Sequence, residues 1–317
     1  MYNLTIKEKT MKRFFVAIAA LGLAATVATA QDFNAAVDAF NAGAQVLETN
    51  KTEALAKFRA ALTEASACEG EEAADLVAKC KEIIPNTLLS IAKEQINDAA
   101  YDEALVTLAE AKSVATEYGV AEAIEEADSL IPNTYMRKGS TLLKEKNFDG
   151  AVLAFGEAVK LTPEDGQAYL LLGQALLQGD KTDDAITAFT KAHELGEEQA
   201  GKILSNTYLK KGMALVKAGK SADAIEALEK SNNYVENANA YKLIASAYTK
   251  SGKSAKAIEA YKKYLEISPN AKDAADIQFT IAATAQKAGD KATAKEYYKK
   301  LAGSKYAAQA EAQLKNL

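Results

Sequence analysis

Tryptophan is absent from the 317 residues, histidine occurs once, cysteine twice and proline four times. A single imidazole, His193, leaves no material for a His-rich metal centre and little for a Ser–His–Asp arrangement. Four prolines and 17 glycines exclude collagen-like chains and Pro- or Gly-rich disordered ones. The longest apolar run, Phe14 to Val27, is short for a membrane span of about 20 residues. What is abundant instead is alanine, lysine, glutamate and leucine, the residues of helices rather than sheets. With 49% hydrophobic residues the chain can bury a core. The composition therefore predicts an all-α protein and argues against an enzyme, with no cofactor and no metal.

Residues 1–30 read as a segment apart from the fold. Lys7, Lys9, Lys12 and Arg13 precede the apolar run, and Ala28-Thr29-Ala30 closes it with small residues before Gln31. A basic start, a short apolar middle and an A-x-A end make a secretory signal peptide. The expectation is an exported protein, destined for a bacterial periplasm or beyond, with no membrane span once the leader is gone.

Charge is uneven along what remains. Residues 31–200 carry 14 basic and 31 acidic residues, whereas 201–317 carry 20 basic, all lysine, and 11 acidic. An acidic whole argues against nucleic acid as a partner.

Self-similarity organises residues 31–317. Tyr135-x3-Gly139 is followed by Ala151, Phe155, Ala158 and Pro163; Tyr169-x3-Gly173 by Ala185, Phe189 and Ala192. The frame returns as Tyr208-x3-Gly212 with Ala224 and Leu228, as Tyr241-x3-Ala245 with Ala257 and Tyr261, and as Gln278-x3-Ala282 with Ala294 and Tyr298. Upstream, Leu88-x3-Ala92 with Ala104 and Leu108 fits, as does Gly43 with Ala54 and Phe58. Small residues at these points let two antiparallel helices approach closely, and the large side chain four residues after each anchor alanine is expected to fill the space between repeats. Turns such as Ala218-Gly219-Lys220-Ser221 and Ser251-Gly252-Lys253-Ser254 separate the helices, with the serine expected to cap the second. The longer spacings after Ala54 and Ala104 are read as helical segments 71–84 and 120–131 added to the next repeat's first helix and kinked at Pro85 and Pro132.

On these residues the chain resembles a tetratricopeptide-repeat protein. The resemblance implies an all-α, right-handed α-solenoid of about seven helix pairs. Its long repeats lie in 31–132, its near-34-residue repeats in 132–303, and a capping helix in 304–317 covers the last apolar face. Strings such as Gly219-Lys220-Ser221 imitate a phosphate loop, but Ala214 stands where its first glycine belongs and no strand precedes it.

Candidate functional residues lie on the first helices, which in the resembling family face a concave groove. Asn133, Gln167, Asn206 and Asn239 recur near one end, and Lys144, Lys217, Lys250 and Lys287 near the other. Such a ladder suits amide contacts to an extended peptide and charge contacts to its acids. Helix capping and the helix dipole account for the same residues without a ligand. Cys68 and Cys80 form a candidate disulfide, since an exported chain with two cysteines favours a bridge; a straight helix hairpin turning at Gly70 would hold them too far apart. The expected function is a non-enzymatic scaffold or adaptor of the bacterial cell envelope that binds protein or peptide in the concave face. The alternative is a self-assembling structural protein driven by the charge polarity of its halves.

Overall fold

The computed structural model describes residues 29–317, so the expected leader lies outside the described residues except for its last two positions. Fifteen helices and no strand occur among the described residues. In chain order they are α1 (Thr29–Val46), α2 (Lys51–Ser66), α3 (Glu71–Asn97), α4 (Tyr101–Tyr118), α5 (Ala121–Lys144), α6 (Phe148–Leu161), α7 (Gly166–Gln178) and α8 (Thr182–Glu194). There follow α9 (Glu198–Lys217), α10 (Ser221–Tyr234), α11 (Ala238–Lys250), α12 (Ser254–Ile267), α13 (Ala274–Lys287), α14 (Lys291–Lys299) and α15 (Ala307–Lys315). None is long and apolar enough to cross a membrane. The chain divides into two units at Arg137 and Lys138, within α5.

In the first unit α1 packs on α2 and α3 on α4. The core is built on Phe40, Phe58, Leu76, Cys80, Leu88 and Leu108, with alanines wherever helices cross. The rings of Phe40 and Phe58 are tilted at 5.3 Å. α3 runs unbroken through Pro85, and α5 through Pro132. Each proline leaves the carbonyl one turn earlier without its amide donor. The two residues that follow reinforce this stretch: Asn86 and Thr87 donate side-chain hydrogen bonds to Glu82 O and Ile83 O at 2.8 Å. Asn133 and Thr134 do the same to Ser129 O and Leu130 O at 2.7 Å. The repeated phrase Ile-Pro-Asn-Thr is thus a device for carrying a helix past a proline.

The cysteine pairing is corrected here. Both cysteines are free thiols, Cys68 Sγ reaching Glu64 O at 3.3 Å and Cys80 buried in the core. Cys68 precedes α3 and Cys80 lies nine residues into it, about 13 Å along the axis, beyond what a disulfide spans. Burial pushes the Cys80 thiol up to about 12. One fast-reacting thiol, Cys68, is therefore expected by Ellman titration of native protein at pH 8, with the second appearing only in denaturant. Oxidised protein showing no thiol in denaturant until it is reduced would restore the bridge.

In the second unit α7 pairs with α8, α9 with α10, α11 with α12 and α13 with α14, and each second helix packs on the next first helix. The pairs close where the sequence is small. A Cβ on Gly139 would come within 2.7 Å of the Phe155 ring, one on Gly173 within 2.6 Å of Phe189, and one on Gly212 within 2.5 Å of Leu228. Phe155, Phe189 and Leu228 are fully buried. First helices end in a repeated turn: Gly219 N–H reaches Val216 O and Lys220 N–H reaches Leu215 O, with Gly219 at φ 75°. The earlier turns build the same bonds with Lys146 at φ 62° and Asp180 at φ 61°. Ser221 and Ser254 do not cap, contrary to the expectation. They are the first helical residues, and the cap positions hold Lys220 and Lys253 without side-chain bonds. Asn147, Asp165 and Asp290 do cap, accepting from Gly150, Ala168 and Thr293 N–H.

α15 stands at the end of this unit with only Ala310 buried. Tyr306 stacks on Phe279 at 4.6 Å and donates to Asp276 Oδ1 at 2.6 Å, while Gln286 donates to Gln313 at 2.9 Å.

The close contacts set a test of the repeat. Gly173→Val should lower the urea midpoint by the equivalent of about 1–3 kcal/mol, because the ring it meets has no room to retreat. Gly156→Ala, also mid-helix but with open space around its Cβ, should raise stability by about 0.5–1 kcal/mol. Equal effects at the two sites would refute the packing account.

Candidate functional site

A residue and its eleventh successor on a helix lie on one face, about 16 Å apart along the axis. That interval joins Gln167 to Gln178 on α7, Asn206 to Lys217 on α9 and Asn239 to Lys250 on α11, all of them exposed. Lys144 at the end of α5 and Lys287 at the end of α13 take the same place and are likewise exposed. Asn133, also exposed, lies in the first unit and its amide N–H is spent on Ser129 O. Asn239 is exposed beside the α11 cap, its backbone N–H held by Asn237 Oδ1 at 2.9 Å. Gln167 and Asn206 have no side-chain partner among the described residues. α9 touches α11 directly, so their strips run side by side.

Between the ends of the α9 strip sits Met213, seven residues after Asn206 and four before Lys217, with 42% of its surface exposed. A search for polar residues alone overlooks it; the signal was its place in the same i, i+7, i+11 pattern. Gln174 on α7 and Ser246 on α11 hold the matching positions.

The lysines fall into two kinds. Lys181 is paired with Asp149, Lys211 with Asp183 and Lys242 with Asp273. Lys144, Lys217, Lys250 and Lys287 have no ion-pair partner among the described residues, so their charges remain open to an incoming group. On α11 the difference is sharp. Lys242 lies over the Tyr264 ring at 5.6 Å and donates to Asp273, which also accepts from the Tyr264 hydroxyl at 2.5 Å. Those hydrogen bonds, that from Lys242 first, hold the Asp273 carboxyl below its usual range. The bond to Asp273, with burial, pushes Tyr264 up to about 12. Lys242 is thus neutralised within the fold, whereas Lys250, two turns on, is open.

Asp276 marks where the amide series stops. It takes the place of Asn206 and Asn239 on α13, and Tyr306 and Lys305 occupy it. His193 is a packing residue: its ring meets Tyr234 edge-on at 5.4 Å and lies against Gly201.

Because the folded protein holds the Tyr264 proton more tightly than the unfolded chain, this contribution is complete below about pH 10 and is lost as pH rises towards 12. The Tm of the wild type should therefore fall between pH 9.5 and 11.5, and by less in Tyr264→Phe. Equal falls by circular dichroism would show that the Tyr264–Asp273 bond does not couple to folding.

Comparison with known proteins agrees with this architecture. A tetratricopeptide-repeat family model matches residues 136–200 and 209–272. No curated protein matches the chain. Among solved structures, a MamA protein is 26% identical, with 54% of this chain and 90% of that one covered, at a TM-score of 0.33. The C-terminal part of a repeat-containing protein from Cytophaga hutchinsonii is 18% identical over 68% of this chain and 78% of that one, at 0.34. PilW, a type IV pilus biogenesis factor, is 19% identical over 69% and 93%, at 0.29. Overlays this loose carry no inference about function. The family match and the small-residue frame that it spans agree: residues 136–200 and 209–272 of this chain are tetratricopeptide repeats.

Proposed function

We propose that this protein is a non-enzymatic scaffold or adaptor of the cell envelope, exported by its first 30 residues, which binds an extended acidic peptide or protein segment on the first-helix face of its second unit. The observation that carries the reading is the repeated strip of amide, neutral side chain and open lysine on α9 and α11, flanked by Lys144 and Lys287. Packed helices lie about 10 Å apart, and a peptide in the polyproline II conformation, which turns once every three residues, advances about 3.1 Å per residue. Lysines on successive first helices therefore meet side chains three residues apart. The fitting ligand carries an acid at every third position, with its backbone against Gln167, Asn206 and Asn239 and an apolar side chain on Met213. In this reading nothing is transformed; the surface only holds.

Selection from a random peptide library on the intact chain tests it. Enrichment of Asp or Glu at intervals of three is expected, with at least tenfold weaker binding by the Lys217→Glu/Lys250→Glu/Lys287→Glu variant. Selected peptides without acids, or unchanged affinity of the variant, would remove the groove from consideration.

A further inference from the structure

The two edges of the second unit differ in sign. One edge consists of the turns within hairpins, and adjacent turns there touch, since Lys181 on one pairs with Asp149 on its neighbour at 2.7 Å. Its last three turns, at 218–220, 251–253 and 288–290, carry Lys220, Lys253, Lys256 and Lys291 besides the three groove-rim lysines. All are exposed, and none has an acidic partner among the described residues. Lys256 lies over the Tyr248 ring and Lys291 reaches Leu317 O. The acids nearby are Asp223, Asp290, which is occupied in capping α14, and Glu229 and Glu259, which act on the Tyr248 hydroxyl.

The opposite edge consists of the connections between hairpins, one helix length away, about 20 Å for the 13 residues of α7. There Glu164, Glu197, Glu198 and Glu236 gather, the first and third exposed and without an ionic partner among the described residues. Glu194 beside them leans on Lys191 at 4.0 Å, and Asp165 caps α7. The glutamates concentrate at the connections 162–165 and 195–197, whereas the lysines concentrate two hairpins further along.

We infer that the second unit docks onto a second copy of this chain, the lysine edge of one copy against the glutamate edge of the next. Like charges crowded along one edge repel within a Debye length of about 10 Å at 0.1 M salt. The surface that relieves this repulsion is present on every molecule. Because the two patches lie on opposite edges, the contact is heterologous: a pair of copies keeps one free lysine edge and one free glutamate edge between them, so further copies add at both ends. Lysine suits it better than arginine would, since the contact needs point charges rather than bidentate geometry. This inference is independent of the groove reading, and its variants leave Lys217, Lys250 and Lys287 in place.

Sedimentation velocity of the full chain at 20 mM and 300 mM salt tests it. At low salt the mean sedimentation coefficient should rise with concentration without settling on one stoichiometry, and the rise should vanish at high salt. A Lys220→Glu/Lys253→Glu/Lys256→Glu/Lys291→Glu variant and a Glu164→Lys/Glu197→Lys/Glu198→Lys variant should each stay monomeric alone. An equimolar mixture of the two should associate, because one then presents acids and the other bases; helicity by circular dichroism controls for folding. A monomeric wild type at 20 mM salt, a lysine variant that still assembles, or a folded mixture that stays monomeric would overturn the inference. So would a monomeric wild type that binds phosphatidylglycerol vesicles through the same lysines, because the edge would then serve a membrane.

Discussion

The fold depends on one steric constraint: the first and second helices of a hairpin close where a glycine or alanine lies under a large side chain. Gly139 beneath Phe155, Gly173 beneath Phe189 and Gly212 beneath Leu228 are three instances of one contact. Glycine in mid-helix costs up to about 1 kcal/mol in propensity relative to alanine. That cost is offset because each contact removes a whole aromatic or leucine side chain from water, about 1.5–3 kcal/mol apiece. Ala245 and Ala282 stand at the same point in the last two hairpins, where Tyr261 and Tyr298 replace the phenylalanines. The close approach therefore tolerates one methyl when the opposing ring changes.

Once that contact is set, the rest of a hairpin's surface is determined by helix periodicity. The face that carries Gly212 is spent on packing. Asn206, Met213 and Lys217 belong to the α9 strip that packing leaves exposed, which is why chemistry can vary there without disturbing the fold. The turn is bound by the same geometry. In the second unit each first helix ends in a residue of positive φ, which glycine supplies without strain at 219 and 252, whereas Lys146 and Asp180 adopt it against their preference.

Most of the fold was legible in the sequence because the constraint leaves residues at fixed intervals: a small residue, then an alanine twelve on, then a ring four further. The prolines were legible as helix extensions because the phrase around Pro85 recurs around Pro132. What recurs there to carry a helix past a proline, Asn133, also looked like a ligand-binding amide, and only the structure shows it spending its N–H on its own helix. The cysteines misled because a compartment argument says nothing of where along a helix a thiol falls. The serines after Gly219 and Gly252 misled because cap and first helical position differ by one residue, below the resolution of pattern reading. Met213 was invisible for the opposite reason: an exposed methionine in a helix reads as core unless the burial of its face is known.

The electrostatics of the site follow from which lysines the fold itself neutralises. Lys211 and Lys242 lie towards the middle of their helices, within reach of acids at the starts of neighbouring elements, Asp183 and Asp273. Lys217 and Lys250 lie in the last turn, where the helix dipole already favours a cation and an acid would be unfavourable, so none is placed beside them. The repeat thus creates open positive charge at the turn end of each first helix as a by-product of building helices well. It does so in a row, because hairpins stack. Groove rim and lysine edge are continuous for this reason: both grow from a rule about how helices end, and they differ only in which side of the turn a partner approaches.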